Sequence, residues 1–365
     1  MKIRTFLFGA AFALLMCLKV DGIAAENLGS LPMGRGLPID VYAGIAFASI
    51  NSIQENDSSF EATVDTRLTW IDRRLSYEKS KAIIGFIEFK DEAADKRLAE
   101  IWHPKVEFAN SRGAPSLEDR SLRIYPDGSV DLIMRERGKF SADFSMQNFP
   151  FDKQILSVDL ISRSEPSTKV LLNFTESQLN FSNSIHPPES SGWDFRRVSL
   201  KKGHISGLRD TQYSVLTASL QIKRQVFSAI STIILPLVCC LLIPLLVLWV
   251  NTLNDDEHLG FGEPNSQLAS FAMTGIFAVV ALNFTVGSSY VQLIQGDNPV
   301  IRLFALNYFM LALSIVISVA LYRYHVIKRL YGRYVQAEVF HVLCWSIPIL
   351  CFGVAAAILF SAWLG

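Results

Sequence analysis

Cysteine is scarce in this chain and poorly placed for a disulfide. The five cysteines are Cys17, Cys239, Cys240, Cys344 and Cys351, each within an apolar run. None falls between residues 18 and 238, so a fold there rests on a packed core even where its compartment would permit disulfides. Cys and His show no metal-ligand spacing, and no cofactor is expected. Net charge is absent as well: 34 basic residues balance 34 acidic ones, without the basic cluster that marks a nucleic-acid partner. No nucleophile elbow, phosphate loop or His/Glu zinc motif occurs, so the residues do not indicate an enzyme.

What is present is a strongly uneven hydrophobicity. A hydrocarbon core of about 30 Å needs about 20 residues of helix. Four segments qualify, at about 228–250, 266–290, 303–322 and 339–364. The first carries no charge, and Pro236 and Pro244 within it predict kinks. At the amino terminus Lys2 and Arg4 precede an apolar run over 6–18, with small residues near Gly22, Ala24 and Ala25. Residues 1–25 read as a secretory signal cut near Ala24 or Ala25, with an uncleaved anchor as the alternative. Either way the next segment is exported, and four spans return the carboxyl terminus to the outer side. The loop 323–333, with Arg323, Lys328, Arg329 and Arg333, then faces the cytoplasm, in keeping with the positive-inside rule. The other inner loop, 251–263, is acidic, with Asp255, Asp256, Glu257 and Glu263.

Between signal and spans, residues 26–226 show the period-2 alternation of half-buried strands. Ala62, Val64, Leu68 and Trp70 alternate with Glu61, Thr63, Asp65, Arg67 and Thr69, Thr66 being the exception. Leu156, Val158 and Leu160 repeat the pattern, as do Leu216, Ala218, Leu220 and Ile222. Turn signals at Tyr125-Pro126-Asp127-Gly128 and His186-Pro187-Pro188 divide the runs. The expectation is an all-β, immunoglobulin-like extracellular sandwich followed by a four-helix transmembrane bundle over 227–365.

The second span is the informative one, because it carries Ser266, Gln267, Ser270, Thr274, Asn283, Thr285, Ser288 and Ser289. Polar groups in a membrane either glue helices together or line water. Ser270, Thr274, Phe277, Ala281, Phe284 and Ser288 recur at steps of four and three, so they share one helical face. From spacing alone, helix packing and pore lining both remain open. One helix cannot enclose a pore, but a ring of identical subunits can.

Motifs in the exported part narrow this. Trp70-x-Asp72-Arg73-Arg74-Leu75 is followed by Trp102-His103-Pro104 with Glu107-Phe108-Ala109-Asn110, and by the hairpin Tyr125-Pro126-Asp127-Gly128. Phe140-Ser141 then leads to Phe149-Pro150-Phe151-Asp152, and Arg224 ends the last strand before the first span. In this order, ahead of four spans, they resemble the pentameric ligand-gated ion channels. The bare signature loop and the short third-to-fourth connection resemble the bacterial branch, and the amine-gated type within it is most similar.

The resemblance implies a homopentamer, in which four identical subunits partner each chain around a central pore in the bacterial inner membrane. The amino-terminal domain would lie outside or in the periplasm. Its pore-lining residues would be Ser270, Thr274, Phe277, Ala281, Phe284 and Ser288. Its agonist, an amine or protons, would meet Glu107, Phe108, Trp70, His204 and Tyr213 at a subunit interface. Gating would pass through Asp57, Phe149, Pro150, Phe151, Asp152 and Arg224. Arg224 lies on the apolar side of its strand, where a lone charge is costly, and is expected to pair with Asp152 and with Asp57, Glu55 close by being the alternative to Asp57. Pro264-Asn265-Ser266-Gln267 lacks the Pro-Ala-Arg run of anion-selective members, and Glu263 stands nearby, so monovalent cations are expected to permeate. The chain departs from the family at 162–167, which offers no aromatic. It departs again at 201–213, rich in Lys and Arg, and in the longer loop 290–299. A membrane-anchored binding module without conduction is the alternative from another class.

Overall fold

The computed structural model describes residues 28–81, 84–185, 192–250, 263–324 and 326–364. The expected signal at 1–25, the His186-Pro187-Pro188 turn and most of the acidic loop lie outside the described residues. So do the side chains of Glu263, Ser266 and Gln267.

Among the described residues, ten strands form two sheets. They are β1 (Ile39–Gln54), β2 (Ser59–Ile71), β3 (Ile87–Lys90), β4 (Glu107–Phe108), β5 (Ser116–Ile124), β6 (Ser129–Ser141), β7 (Lys153–Ile161), β8 (Val170–Asn173), β9 (Trp193–Ser206) and β10 (Gln212–Arg224). One sheet runs β3-β5-β6-β2-β1-β8 and the other β4-β7-β10-β9. The even positions of β2, from Phe60 to Trp70, are buried between the sheets, and Thr66 is buried with them. Phe47, Phe140, Leu156, Leu160 and Leu220 complete that core. Two short helices flank it: α1 (Asp91–Glu100) and α2 (Glu176–Ser182), the second closed by a Thr175/Gln178 capping box.

The odd face of β2 is not simply solvated. Glu61, Asp65 and Arg67 reach across to Arg137, Arg135 and Asp131 of β6, at 2.7, 2.7 and 2.8 Å. Asp65 and Asp131 are buried, and bidentate guanidinium pairs compensate their desolvation. The β5–β6 hairpin turns at Gly128, whose φ is +82° and where an added Cβ would stand 2.5 Å from the Asp72 carbonyl oxygen. A left-handed turn and a close backbone approach both require glycine there.

Among the described residues, four helices are long and apolar enough to cross a membrane. The first is not continuous: Val226–Ala229 passes through a π-turn at Ile230–Ile234 into Leu235–Cys240, then Leu242–Val250. The irregularities fall just ahead of Pro236 and Pro244, whose missing N–H groups disrupt the hydrogen-bond ladder. Leu241 N bonds to Val238 O rather than to Leu237. Asn307 Nδ2, buried on the third helix, donates to the Leu237 oxygen at 3.1 Å. A polar group freed inside the bundle is thus satisfied by a neighbouring helix.

The second long helix is Glu263–Ser289, the third Pro299–Ser318 with a π-turn at Val319–Arg323, and the fourth Arg333–Leu364. The second packs against the first and third through Ala272, Gly275, Val279 and Val286. At Gly275 an added Cβ would meet Ile243 at 2.7 Å and Leu311 at 2.9 Å. A short helix, Val291–Gln295, fills part of the longer loop after it.

Candidate functional site: a charged node and an exposed helix stripe

The sandwich meets the bundle at one buried arginine. Arg224, the last residue of β10, donates from Nε to Asp152 Oδ1 at 2.8 Å and from Nη2 to Asp152 Oδ2 at 3.1 Å. Its Nη1 donates to Glu55 Oε1 at 2.9 Å. The guanidinium lies 4.2 Å from the Trp193 ring centroid and 5.0 Å from that of Phe149. Burial alone would push Arg224 down, but Asp152 and Glu55 hold its pKa above the ordinary value. Gln154 Nε2 donates to the remaining lone pairs of Asp152 at 2.7 Å. Two carboxylates from distant segments thus close on one cation.

The sequence expected Asp57 as the second partner, and the structure gives that place to Glu55. The hairpin tip Glu55–Asp57 is a 3₁₀ turn, which aims Glu55 inward and Asp57 outward. Asp57 accepts from Lys139 Nζ at 2.6 Å, and that contact holds its carboxyl below the usual range. Asn56 between them docks on the bundle. Its Nδ2 donates to Ser289 O at 3.0 Å, and its Oδ1 accepts from Val291 N at 2.9 Å. Gln292 Nε2 donates to Ser58 Oγ at 3.0 Å. From the β6–β7 connection, Met146 and Phe149 pack into the same apolar cluster as Ile233, Leu237 and Leu293 of the bundle. Pro150 is buried beside them and Phe151 is half-buried. One hairpin, one loop and one strand end therefore converge where the first and second long helices begin and end.

On the second long helix, Ser270, Thr274, Phe277, Ala281, Phe284 and Ser288 are all exposed in the single chain. Phe277 is 66 % and Phe284 78 % exposed. At 100° per residue this stripe lies about opposite the packed face of Ala272, Gly275, Val279 and Val286. The helix turns its own bundle one face and presents hydroxyl, phenyl and methyl groups on the other.

The expected agonist residues are not all together. Trp70 is fully buried, edge-on to Trp102 at 6.2 Å, and Phe108 is buried edge-on to Phe140 at 5.4 Å. Both belong to the core, which corrects their assignment as ligand contacts. Glu107 is exposed on β4, 3.9 Å from Arg163. Tyr213 on β10 lies half-buried beside Gly207, and His204 is exposed on β9. Asn110 is a strut: it donates to the carbonyls of Ser141 and Ser157 and accepts from Asp159 N. Sequence reasoning missed Asn56, Trp193 and Gln292, whose partners lie far away in the chain, and Gln154, which braces Asp152 two residues before it.

A β-sandwich wired through a buried charge node to four membrane-length helices defines a two-part membrane protein. Residues 29–226 match the family described as the neurotransmitter-gated ion-channel ligand binding domain, and the chain belongs to that family. A proton-gated ion channel of Gloeobacter violaceus is 27% identical over 213 residues, which is 58% of this chain and 56% of that protein. The gamma-aminobutyric acid receptor subunit theta of Mus musculus is 24% identical over 226 residues, 60% of this chain and 34% of that one. The chain thus matches about half the length of the first relative and a third of the second.

Proposed function

We propose that this chain is one subunit of a homopentameric, cation-selective, ligand-gated ion channel of the bacterial cell membrane. In this reading 26–226 is the extracellular domain and 227–365 the transmembrane domain. The observation that carries it is the stripe on the second long helix, turned away from its own bundle. Five copies around an axis would make rings of Ser270, Thr274, Phe277, Ala281, Phe284 and Ser288. Hydroxyl rings replace part of an ion's hydration, and narrow apolar rings stop ions by dewetting. Phe277 and Phe284 are the gate, about two helical turns apart.

The agonist site lies at the subunit interface, with Glu107, Arg163 and Tyr213 on one side. Movement there reaches the pore through β10, Arg224 and the Asn56 contact with the end of the second helix. Purified protein in liposomes tests this reading: single-channel currents that respond to a small ligand or to pH support it. Electrically silent protein that still binds ligand would favour the membrane-anchored module.

A second reading makes protons the agonist, and Glu55 favours it. Its Oε2 is buried without a hydrogen-bond partner while Oε1 holds Arg224, which places an acid side chain at the junction itself. Glu107 is exposed on β4, away from that junction. Loss of acid activation in Glu55→Gln, with Glu107→Gln unaffected, would select this reading.

A further inference from the structure

One cavity in the sandwich takes no part in the node, the stripe or the proposed agonist site. It measures about 330 Å³ and lies where the carboxyl end of α1, the Trp102-His103-Pro104 segment and the residues following β7 come together. Backbone contacts fix its walls: Trp102 N donates to Leu28 O at 2.7 Å, Ser162 N to Ser214 O at 3.2 Å and Ser167 N to Gln212 O at 2.8 Å. The volume falls at the small end of the range for small-molecule sites. Glu107, Arg163 and Tyr213 are not among its lining residues.

The lining has an apolar and a polar part. Leu98, Ile101 and Val170, all buried, supply the first. Ser162, in the second, is 1% exposed, and its Oγ has no hydrogen-bond partner. A buried hydroxyl left so is costly until a ligand or water bonds to it. The Lys105 ammonium group is exposed and forms no ion pair or hydrogen bond among the described residues. Other charges nearby are already matched: Glu165, also in the lining, by Lys169 at 3.0 Å, and Arg120 by Asp95. His103 adds none at neutral pH, because burial holds its imidazole below the ordinary value of 6.5. One ammonium group is thus the uncompensated charge of the cavity.

We infer that this cavity binds a small monocarboxylate, its carboxylate held by Lys105, Ser162 and Ser164 and its short alkyl chain by Leu98, Ile101 and Val170. An ammonium group and two hydroxyls supply the donors that a carboxylate needs. Glu165 beside them disfavours a second negative charge, which sets monocarboxylates above dicarboxylates. The apolar part sets an alkyl carboxylate above an inorganic anion. Binding requires only the folded sandwich and not conduction, so its failure and the failure of the channel reading are separable.

The test is titration of butyrate into the full chain in nanodiscs, read by saturation-transfer NMR and calorimetry. Wild type shows one saturable site per chain, with butylammonium and succinate far weaker. Lys105→Gln weakens butyrate about tenfold or more, the size of a hydrogen bond to a charged group, and Ser162→Ala weakens it about three- to tenfold. Lys96→Gln, which removes a basic residue of α1 outside the lining, leaves it unchanged. Ser162→Ala does not lower the melting temperature of the ligand-free protein, since no bond is lost. A fall there would show the hydroxyl bonded within the protein and overturn the site. Absence of saturable binding overturns the proposal and leaves the cavity to water. So does full affinity in the Lys105→Gln/Ser162→Ala double variant, which would place butyrate elsewhere. Equal affinity for butylammonium would remove the selection for an anion, and the proposal with it.

Discussion

The sandwich and the bundle spend their large side chains in opposite ways. In the sandwich Trp70, Phe47, Phe60 and Phe140 are fully buried, and acids at Asp65 and Asp131 are matched by arginines. In the bundle Phe277, Phe284, Trp345 and Ile349 are mostly exposed. A single chain completes the first region and leaves the second open. Exposed apolar area on this scale marks surfaces meant for partners, which in the proposed channel are lipid and further copies. Small residues such as Gly275 and a few polar staples such as Asn307 hold the bundle together. They are the devices of helices that gain nothing from expelling water.

The comparison breaks most easily in the sandwich. Phe140→Ala removes a ring shared with Phe60 and Phe108, and should cost about 3–5 kcal/mol, enough to abolish folding of the amino-terminal region. Circular dichroism and limited proteolysis would register it. Arg224→Gln should cost about as much, because breaking a buried pair strands its partners. Asp57→Asn, on the same hairpin tip but exposed, should leave stability almost unchanged. Equal melting temperatures for Arg224→Gln and wild type would refute the node.

In the bundle, Gly275→Val should cost about 1–3 kcal/mol by overpacking Ile243 and Leu311. Phe277→Ser on the opposite face should leave thermal stability unchanged, yet raise spontaneous opening in reconstituted protein. A drop in melting temperature for Phe277→Ser as large as that for Gly275→Val would erase the distinction between the two faces.

The smallest effect concerns pH. Burial pushes the His103 imidazole below its ordinary value of 6.5, against the pull of nearby backbone carbonyls. The folded state therefore binds this proton less readily than the unfolded one. Its contribution is fully present above pH about 6.5 and is lost as pH falls towards the folded pKa. Burial raises Glu136 above the carboxylate range, so its contribution has the other sign and fades as pH rises through that raised value. His103 makes the melting temperature fall with acid between pH 5 and pH 7 and Glu136 opposes it, so His103→Gln should remove the acid-destabilising part of the slope and Glu136→Gln the opposing part. An unchanged slope in either variant would assign the dependence elsewhere.

Legibility followed the range of the interaction. The even face of β2, the strand from Leu216 to Ile222 and the four apolar spans could be read because burial imposes a local period. Asp152 as the partner of Arg224 was legible from the cost of a lone buried charge together with the family motif. The choice between Glu55 and Asp57 was not, because it depends on how a 3₁₀ turn rotates two neighbouring acids. The Asp65–Arg135 and Arg67–Asp131 pairs join residues 70 and 64 positions apart, and period alone described that face as solvated. Trp70 and Phe108 were placed at a ligand site by their motifs, although the alternation of β2 already pointed Trp70 to the core. Asn307 did leave a signal, since a lone amide in an apolar span needs a partner, but average hydropathy hides it.

In the proposed channel the second long helix turns the 270–288 stripe to water and the Gly275 side to protein. Cysteine scanning of reconstituted protein, after removal of the native cysteines, addresses it directly with a water-soluble thiol reagent. Cysteines at 270, 274, 277, 281 and 284 should react, and those at 272, 275 and 279 should not. Reaction at 272 and 279 with protection at 277 and 284 would contradict the account.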